Sequence, residues 1–122
     1  MRNSILFTCL ILLMSCKSQP SFGQELLKLE KEIALPNVKG RIDHIDMDVA
    51  NQIAYVALGN NTVEIVDLKK GMVLHSITGL SEPQGVAYIP KHHELFVANG
   101  GTGECIFYNA ITFQKLARFS YH

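Results

Sequence analysis

Two short polar segments occupy equivalent places in the chain. Gly40–His44 reads GRIDH, and Ser81–Gly85, 41 residues later, reads SEPQG. The candidate ligand-binding residues in them are Arg41, Asp43, His44, Glu82 and Gln84. Guanidinium, imidazole and amide groups donate hydrogen bonds and carboxylates accept them, so this set suits a polar ligand. Because Arg41 and Glu82 hold equivalent places with opposite charge, an ion pair between two structural units is the alternative interpretation.

The run Asp43–Asp48 (DHIDMD) contains metal-binding residue types at a spacing that does not suit one ion. His44, Asp46 and Asp48 alternate along a predicted strand, where neighbours on one face lie about 6.6–6.8 Å apart. Bonds from protein ligands to metals are only about 2.0–2.6 Å long. We therefore interpret these residues as a polar strand face. His92 and His93 fall in a predicted turn and are interpreted as solvated.

Other chemical signatures do not support catalysis. Gly100–Gly103 (GGTG) precedes a predicted strand, whereas a phosphate-binding loop needs a helix N-terminus. The sequence has no GxSxG elbow, no CxxCH haem motif and no CxxC zinc pair. Cys105 lies among apolar residues, which predicts a buried, unreactive thiol. We predict no metal, no cofactor and no catalytic residue from these motifs.

The charge balance excludes one class of partner. The chain has 122 residues, with 11 Lys plus Arg and 11 Asp plus Glu, so its formal net charge is zero. This excludes a basic nucleic-acid binder that works by phosphate neutralisation, and also an acidic disordered tail. Hydrophobic residues make up 48% of the chain, which is typical of a globular domain.

The N-terminus has the pattern of an export signal. The apolar run Ile5–Met14 has 10 residues, whereas a bilayer-spanning helix needs about 20. A charged start, a short apolar run and small residues are typical of a secretory signal peptide. Leu13–Cys16 (LMSC) resembles a bacterial lipobox. We therefore predict a lipoprotein-type signal peptide over residues 1–16, with Cys16 as the lipid attachment site.

A second cleavage site competes with the lipobox. Ser21–Gly23 (SFG) places small residues where ordinary signal peptidase needs them, and cleavage there would release a soluble secreted protein. Residues 17–25 are predicted to be a flexible tether in either case. Both alternatives place the protein outside the cytoplasm, as a periplasmic or outer-membrane lipoprotein or as a secreted protein. Membrane contact is expected only through a lipid on Cys16.

The rest of the chain is an internal repeat. Ile53–Asn60 matches Glu94–Gly101 at an offset of 41 residues, and Thr62–Asp67 matches Glu104–Asn109 at an offset of 42. The shared positions are mostly apolar, and the shared loops carry Gly and Asn. A period of about 40–45 residues with four strand-like runs is typical of a β-propeller blade. The sequence thus predicts an all-β fold with two blades of four antiparallel strands, over residues 37–80 and 81–122.

Hydrophobic alternation and turn residues place the individual strands. The predicted strands are 44–48, 53–58, 62–68 and 72–78 in the first blade, and 85–89, 95–98, 105–109 and 114–119 in the second. Residues 26–36 are predicted to form an N-terminal strand that completes the last blade of a closed ring. A helix is the alternative there, because Leu, Lys and Glu are good helix formers.

Two segments carry a resemblance to a known family. Leu95–Gly101 (LFVANGG) resembles the YVTN repeat of bacterial seven-bladed propellers, and Asn61–Leu68 (NTVEIVDL) resembles the strand before its turn. The resemblance spans residues 40–119 and implies a secreted, periplasmic or surface propeller. Seven such blades need about 300 residues, so two blades would be part of a ring. We expect a piece of a longer product; assembly of several copies and a marginal, partly disordered domain are the alternatives.

In a propeller, the two polar segments Gly40–His44 and Ser81–Gly85 would lie on the same face of the ring. Loops that enter the innermost strands lie beside the central channel, which puts the five candidate residues near one mouth. The leading hypothesis is a non-enzymatic cell-envelope module that binds a protein, a glycan or a small ligand. The alternative is the N-terminal part of a propeller enzyme, either lactonase-like or a quinoprotein or haem oxidoreductase. A third hypothesis is a product without independent activity.

Overall fold

The computed structural model describes residues 27–121. The predicted signal peptide (1–16), Cys16 and the tether (17–25) lie outside the described residues. By its internal contacts the chain divides into Met1–Glu30 and Lys31–His122. The described part of the first unit, residues 27–30, has no regular secondary structure. Within residues 27–121, no helix is long and apolar enough to cross a membrane.

Lys31–His122 contains two four-stranded antiparallel sheets, as predicted. The strands are β1 (Ile42–Asp48), β2 (Ile53–Leu58), β3 (Thr62–Asp67), β4 (Met72–Ile77), β5 (Pro83–Ile89), β6 (Glu94–Asn99), β7 (Glu104–Asn109) and β8 (Lys115–Ser120). The sheet orders are β1-β2-β3-β4, called blade 1, and β5-β6-β7-β8, called blade 2. The all-β prediction is confirmed, and each of the eight strands predicted for the two blades overlaps an observed one.

The turns repeat between the blades in conformation as well as in sequence. Gln52 and His93 both have positive φ (59° and 52°), in the β1–β2 and β5–β6 turns. Gly71 and Phe113 hold the same place in the β3–β4 and β7–β8 turns, at φ 71° and 61°. A left-handed conformation costs glycine little but strains an aromatic residue. Phe113 is therefore a strained counterpart of Gly71.

Irregular pairing also repeats. The β1–β2 register shifts between Ile42 and His44, and the β5–β6 register shifts between Pro83 and Gly85. The residues left unpaired are Asp43 and Gln84. A β-bulge bends its strand and re-aims the extra side chain, so both blades give this position a special orientation at the start of their innermost strand.

The main core lies between the two blades. Alternation along the strands sends one face of blade 1 toward one face of blade 2. The buried residues of this core are Tyr55, Ala57, Val63, Ile65, Ile77, Leu80, Val86, Leu95, Val97, Ile106 and Tyr108. The rings of Tyr55 and Tyr88 stack across the interface with centroids 5.4 Å apart. Burial of these side chains holds the blades together because each removes apolar surface from water.

The opposite face of blade 1 is covered in part by the preceding segment. Ile33, Leu35 and Val38 pack against a second buried cluster that includes Val56 and Val66. Residues 27–36 are not in a strand in this structure. The predicted strand over 26–36, which would complete the last blade of a closed ring, stays a prediction. A strand needs a hydrogen-bonded neighbour, and no strand pairs with this segment among the described residues. Ile33, Leu35 and Val38 cover this face of blade 1 through their side chains instead.

The opposite face of blade 2 is aromatic and open. Phe107 lies between Phe96 and Phe119, with ring centroids 5.4 and 6.1 Å away in edge-to-face geometry. Phe119 is 61% exposed. Cys105 alternates with Phe107 along β7 and is only half-buried. The predicted full burial of Cys105 is wrong because its side chain lies on this open face rather than in the core between the blades.

Candidate functional site

A polar cleft lies where the chain enters the innermost strands. Its volume is about 490 Å³, and Gly40, Arg41, Asp43, Gly59 and Glu82 line it; we call it the Arg41 cleft. Three of the five predicted site residues, Arg41, Asp43 and Glu82, therefore share one cleft. They come from the entry segments of both blades, as the repeat predicted.

An ion pair orders the basic side of the Arg41 cleft. Nε of Arg41 lies 2.7 Å from Oδ1 of Asp43. Asp43 is the bulged residue of β1 and its side chain is only 16% exposed, whereas that of Arg41 is 73% exposed. The bulge turns the carboxylate toward the guanidinium, which leaves part of the guanidinium free for a ligand. Among residues 27–121 the ion pair of Arg41 is with Asp43, so the alternative Arg41–Glu82 pair is wrong.

The acidic side of the cleft is held by the neighbouring blade. The main-chain N–H of Glu82 donates a hydrogen bond of 2.9 Å to Oδ1 of Asn61, in the β2–β3 turn. The carbonyl oxygen of Glu82 accepts a bond of 3.0 Å from the N–H of Gly100. Glu82 and Asn61 both have positive φ, 49° and 68°. Two residues with left-handed backbone thus meet at the junction of the blades, and Glu82 is the strained one of the two.

The two remaining predicted residues are not part of this cleft. The side chain of Gln84 lies over Gly100, so close that a Cβ on Gly100 would come within 2.8 Å of Cδ of Gln84. His44 is exposed on β1, opposite Ala57, and does not line the cleft. The structure therefore divides the five candidates into three cleft residues and two neighbours.

Asn99 anchors the entry segment of blade 2. It is 2% exposed, and its Oδ1 accepts a hydrogen bond of 2.7 Å from the N–H of Ser81. Its Nδ2 donates a bond of 2.7 Å to Oγ1 of Thr102. The N–H of Gly101 donates to the carbonyl oxygen of Ser81 at 2.8 Å. The glycine-rich loop is thus a support for the Ser81–Glu82 segment, and β7 follows it, as predicted.

Sequence reasoning missed the roles of Asn61 and Asn99. Asn61 lies in the β2–β3 turn, and Asn99 is the last residue of β6, before the β6–β7 turn. In turns, Asn is expected only because it tolerates positive φ. Their second role is to accept hydrogen bonds from the segment that leads into β5: Asn61 accepts from Glu82, and Asn99 accepts from Ser81. This role depends on how the loops approach one another. The available signal was that each Asn lies close to a Gly of its loop: Asn99 directly precedes Gly100, and Asn61 follows Gly59 by two positions.

The polar face of β1 is used for structure. Oδ2 of Asp46 accepts a 2.7 Å hydrogen bond from the N–H of Tyr88, and Oδ2 of Asp48 accepts one of 2.7 Å from Nδ2 of Asn51. The two carboxylates serve different partners. Within the part of the chain that the structure describes, no group of three or more His, Cys, Asp or Glu residues is placed to hold a metal ion.

Together the sheets and their loops define a pair of β-propeller blades, with a polar cleft at the end where β1 and β5 begin. The fold resembles solved propeller structures. Two structures of AztD from Citrobacter koseri, one of them apo, match with TM-scores of 0.60 and 0.58 at 22% and 23% identity. Each match covers 72% of this chain and 25% of AztD.

A structure of U3-55K matches with a TM-score of 0.62 at 16% identity, over 70% of this chain and 29% of that one. At these identities the likeness shows the fold alone. The chain spans about a quarter of the length of the propellers it matches. Neither a protein-family model nor a curated protein matches its sequence. The resemblance to the YVTN family remains a prediction.

Proposed function

We propose that this chain is a β-propeller module of the bacterial cell envelope that binds a hydroxyl-rich ligand such as a glycan in the Arg41 cleft. The observation that carries the proposal is the placement of Arg41, Asp43 and Glu82 around one cleft of about 490 Å³. A guanidinium supplies donors and two carboxylates supply acceptors, which together match hydroxyl groups that both donate and accept. The mixed charge gives no advantage to a strongly anionic ligand.

The backbone supports this assignment. Gly40 has φ 98° and lies next to Gly59. A Cβ added to Gly59 would lie 3.4 Å from the backbone and the side chain of Arg41. The two glycines leave the cleft floor without side chains, so a ligand can approach main-chain groups. Binding sites combine a pre-formed concavity with a few placed polar groups, and the hydrogen bonds to Asn61 and Gly100 keep Glu82 in position.

The module is proposed to belong to a larger ring. Both outward faces of the blade pair carry exposed apolar side chains: Ile42, Ile45 and Met47 on blade 1, and Phe119 on blade 2. Blade 1 and blade 2 already show how such faces pack, through the core between them. Further blades would cover the outward faces in the same way. Seven blades in total is what the YVTN resemblance implies.

An extracytoplasmic location is proposed on the pattern of residues 1–16. We expect Cys16 to carry a lipid after signal cleavage. Metabolic labelling with a fatty acid tests this: the wild-type protein should incorporate label and Cys16→Ser should not. Incorporation that persists in Cys16→Ser, or none in the wild type, would contradict the lipobox assignment and would leave ordinary signal cleavage as the alternative.

The ligand proposal is tested by NMR titration of the full chain with chitobiose and with maltose. We expect saturable shifts at the amides of Arg41, Asp43, Gly59 and Glu82. Arg41→Gln and Glu82→Gln should each weaken binding about tenfold, because each removes a hydrogen bond that involves a charged group. Lys91→Gln, at the far end of blade 2, is the matched control and should bind as the wild type does. Shifts that avoid the Arg41 cleft, or an equal loss in Lys91→Gln, would overturn the proposal.

A further inference from the structure

A second cleft lies between the blades at the opposite end of β1. Its volume is about 370 Å³, and we call it the Asp48 cleft. Its polar groups come from Asp48, Asn51, Tyr55, Tyr88 and His93, and apolar residues including Ile111 and Phe113 line the rest. The Arg41 cleft is at the start of β1 and this one is at its end, so the two do not share residues.

Asp48 gives this cleft its charge. The residue is 7% exposed, and its carboxylate accepts hydrogen bonds from the N–H of Asn51 (3.1 Å) and from Nδ2 of Asn51 (2.7 Å). The side-chain bond from Asn51 holds the pKa of Asp48 below its ordinary value. No Lys or Arg lines the cleft. Besides Asn51, the Tyr88 hydroxyl and the N–H of Ala50 donate toward this carboxylate, so a ligand donor competes with the Tyr88 hydroxyl for one of its acceptor positions.

Aromatic groups surround the carboxylate. Tyr88 stacks on Tyr55, and its hydroxyl lies 3.3 Å from Nδ1 of His93. Phe113 stacks on His75, with ring centroids 4.7 Å apart and planes within 10°. Phe113 and His93 both have positive φ, at 61° and 52°. The blade 1 counterpart of Phe113 is Gly71, so blade 2 places a strained aromatic ring beside the cleft where an unstrained residue would suffice.

We propose that the Asp48 cleft is a binding site for a small organic ammonium ion with an apolar body. A carboxylate inside a cleft with aromatic and aliphatic walls favours a cation over an anion and favours apolar groups over a fully hydrated ion. The ammonium group donates to Asp48, and the apolar body lies against Phe113 and Ile111. The site is independent of the ligand proposed for the Arg41 cleft.

The test compares three probes of similar size on the full chain by NMR and calorimetry. Phenethylammonium carries the positive charge, 2-phenylethanol is neutral and 3-phenylpropanoate is negative. We expect phenethylammonium to bind with a Kd of about 1 mM and to shift the amides of Asn51, His93 and Phe113. The alcohol should bind at least about tenfold more weakly, and the anion should not bind. Equal binding of all three probes, or no binding of phenethylammonium, would overturn the proposal.

Substitutions locate the site. Asp48→Asn keeps the shape and removes the charge, and it should raise the Kd for phenethylammonium at least about tenfold. The matched control is Asp67→Asn, because Asp67 is 8% exposed and accepts a turn hydrogen bond from Lys70 in the same way, but does not line the cleft. Phe113→Gly is a second variant that removes the ring and relieves the positive φ, so weaker binding without loss of folding is expected. Equal losses in Asp67→Asn, or unchanged binding in both cleft variants, would contradict the site.

Discussion

The main-chain N–H of Tyr88 donates a 2.7 Å hydrogen bond to Oδ2 of Asp46, 42 residues earlier in the chain. This bond joins the innermost strands of the two blades, β1 and β5. Oδ1 of the same carboxylate accepts a 2.8 Å bond from the N–H of Met47. The side chain of Asp46 therefore hydrogen-bonds both to the main chain of its own strand, β1, and to that of β5 in blade 2.

Replacing Asp46 by Ala should destabilise the blade pair. The substitution leaves the N–H of Tyr88 without its acceptor in a partly buried position, which costs about 1–3 kcal/mol. Urea unfolding measures the change in the free energy of unfolding. His44→Ala, on the same strand but exposed, is the control and should change it by no more than about 0.5 kcal/mol. Equal stability of the two variants would show that the bond between the blades contributes nothing.

Substitutions of Asn61 should separate hydrogen bonding from backbone strain. Asn61→Asp keeps an acceptor for the N–H of Glu82 and tolerates positive φ, so its stability should stay within about 0.5 kcal/mol of the wild type. Asn61→Gly keeps the conformation but loses the bond, at a cost of about 1 kcal/mol. Asn61→Ala loses the hydrogen bond and also strains the backbone at positive φ, so it should be about 1 kcal/mol less stable than Asn61→Gly. Thermal unfolding should give this order, and an Ala variant as stable as the Asp variant would refute it.

Gly101→Ala should displace the entry segment of blade 2. A Cβ at Gly101 would lie 2.9 Å from the carbonyl oxygen of Ser81, and backbone atoms cannot move aside cheaply. We expect amide shifts at Ser81 and Glu82 and weaker binding in the Arg41 cleft. Gly85→Ala is the control, since its Cβ would meet the Cβ of Ala98 at an ordinary 3.5 Å. The prediction fails if the two alanine variants have the same spectrum around Ser81.

Two buried aspartates should make the fold sensitive to acid. A side-chain hydrogen bond from Asn51 lowers the pKa of Asp48, and a backbone hydrogen bond from Lys70 lowers that of Asp67. A pKa lowered by folding gives stability that is complete above the unfolded-state value of about 3.9 and is lost as the pH falls through the folded-state value. Stability should therefore fall below about pH 4. The double variant Asp48→Asn, Asp67→Asn should lose less between pH 6 and pH 3; an unchanged loss would contradict the assignment.

Phe119→Ser should reduce the exposed apolar surface of blade 2. The ring is 61% exposed at the edge of the Phe96–Phe107–Phe119 cluster, so it contributes to a contiguous patch. Fluorescence of the dye ANS with the full chain should decrease in this variant. Val49→Ser, at a turn residue that is 71% exposed, is the control for loss of a single isolated side chain and should leave the fluorescence unchanged. A decrease of the same size in both variants would show that the face is not a distinct patch.

The sequence alone determined the strands and turns. Hydrophobic alternation is a local property, and the match between Ile53–Asn60 and Glu94–Gly101 identified the same unit twice. The repeat also placed Arg41 and Glu82 at equivalent entry positions, which is why three of the five candidate residues share a cleft.

Only the tertiary structure decided what these residues contact. The choice of Asp43 over Glu82 as the partner of Arg41 depends on a bulge, and the Asp46–Tyr88 bond depends on the distance between two blades. Hydrophobic alternation predicts neither contact. The Arg41–Asp43 pair depends on an irregularity in strand pairing, and the Asp46–Tyr88 bond depends on the packing of segments about 40 residues apart. Residues 27–36 are not in a strand for a related reason. A strand forms only where a neighbouring strand hydrogen-bonds to it, and hydrophobic alternation along one segment does not show whether such a neighbour is present.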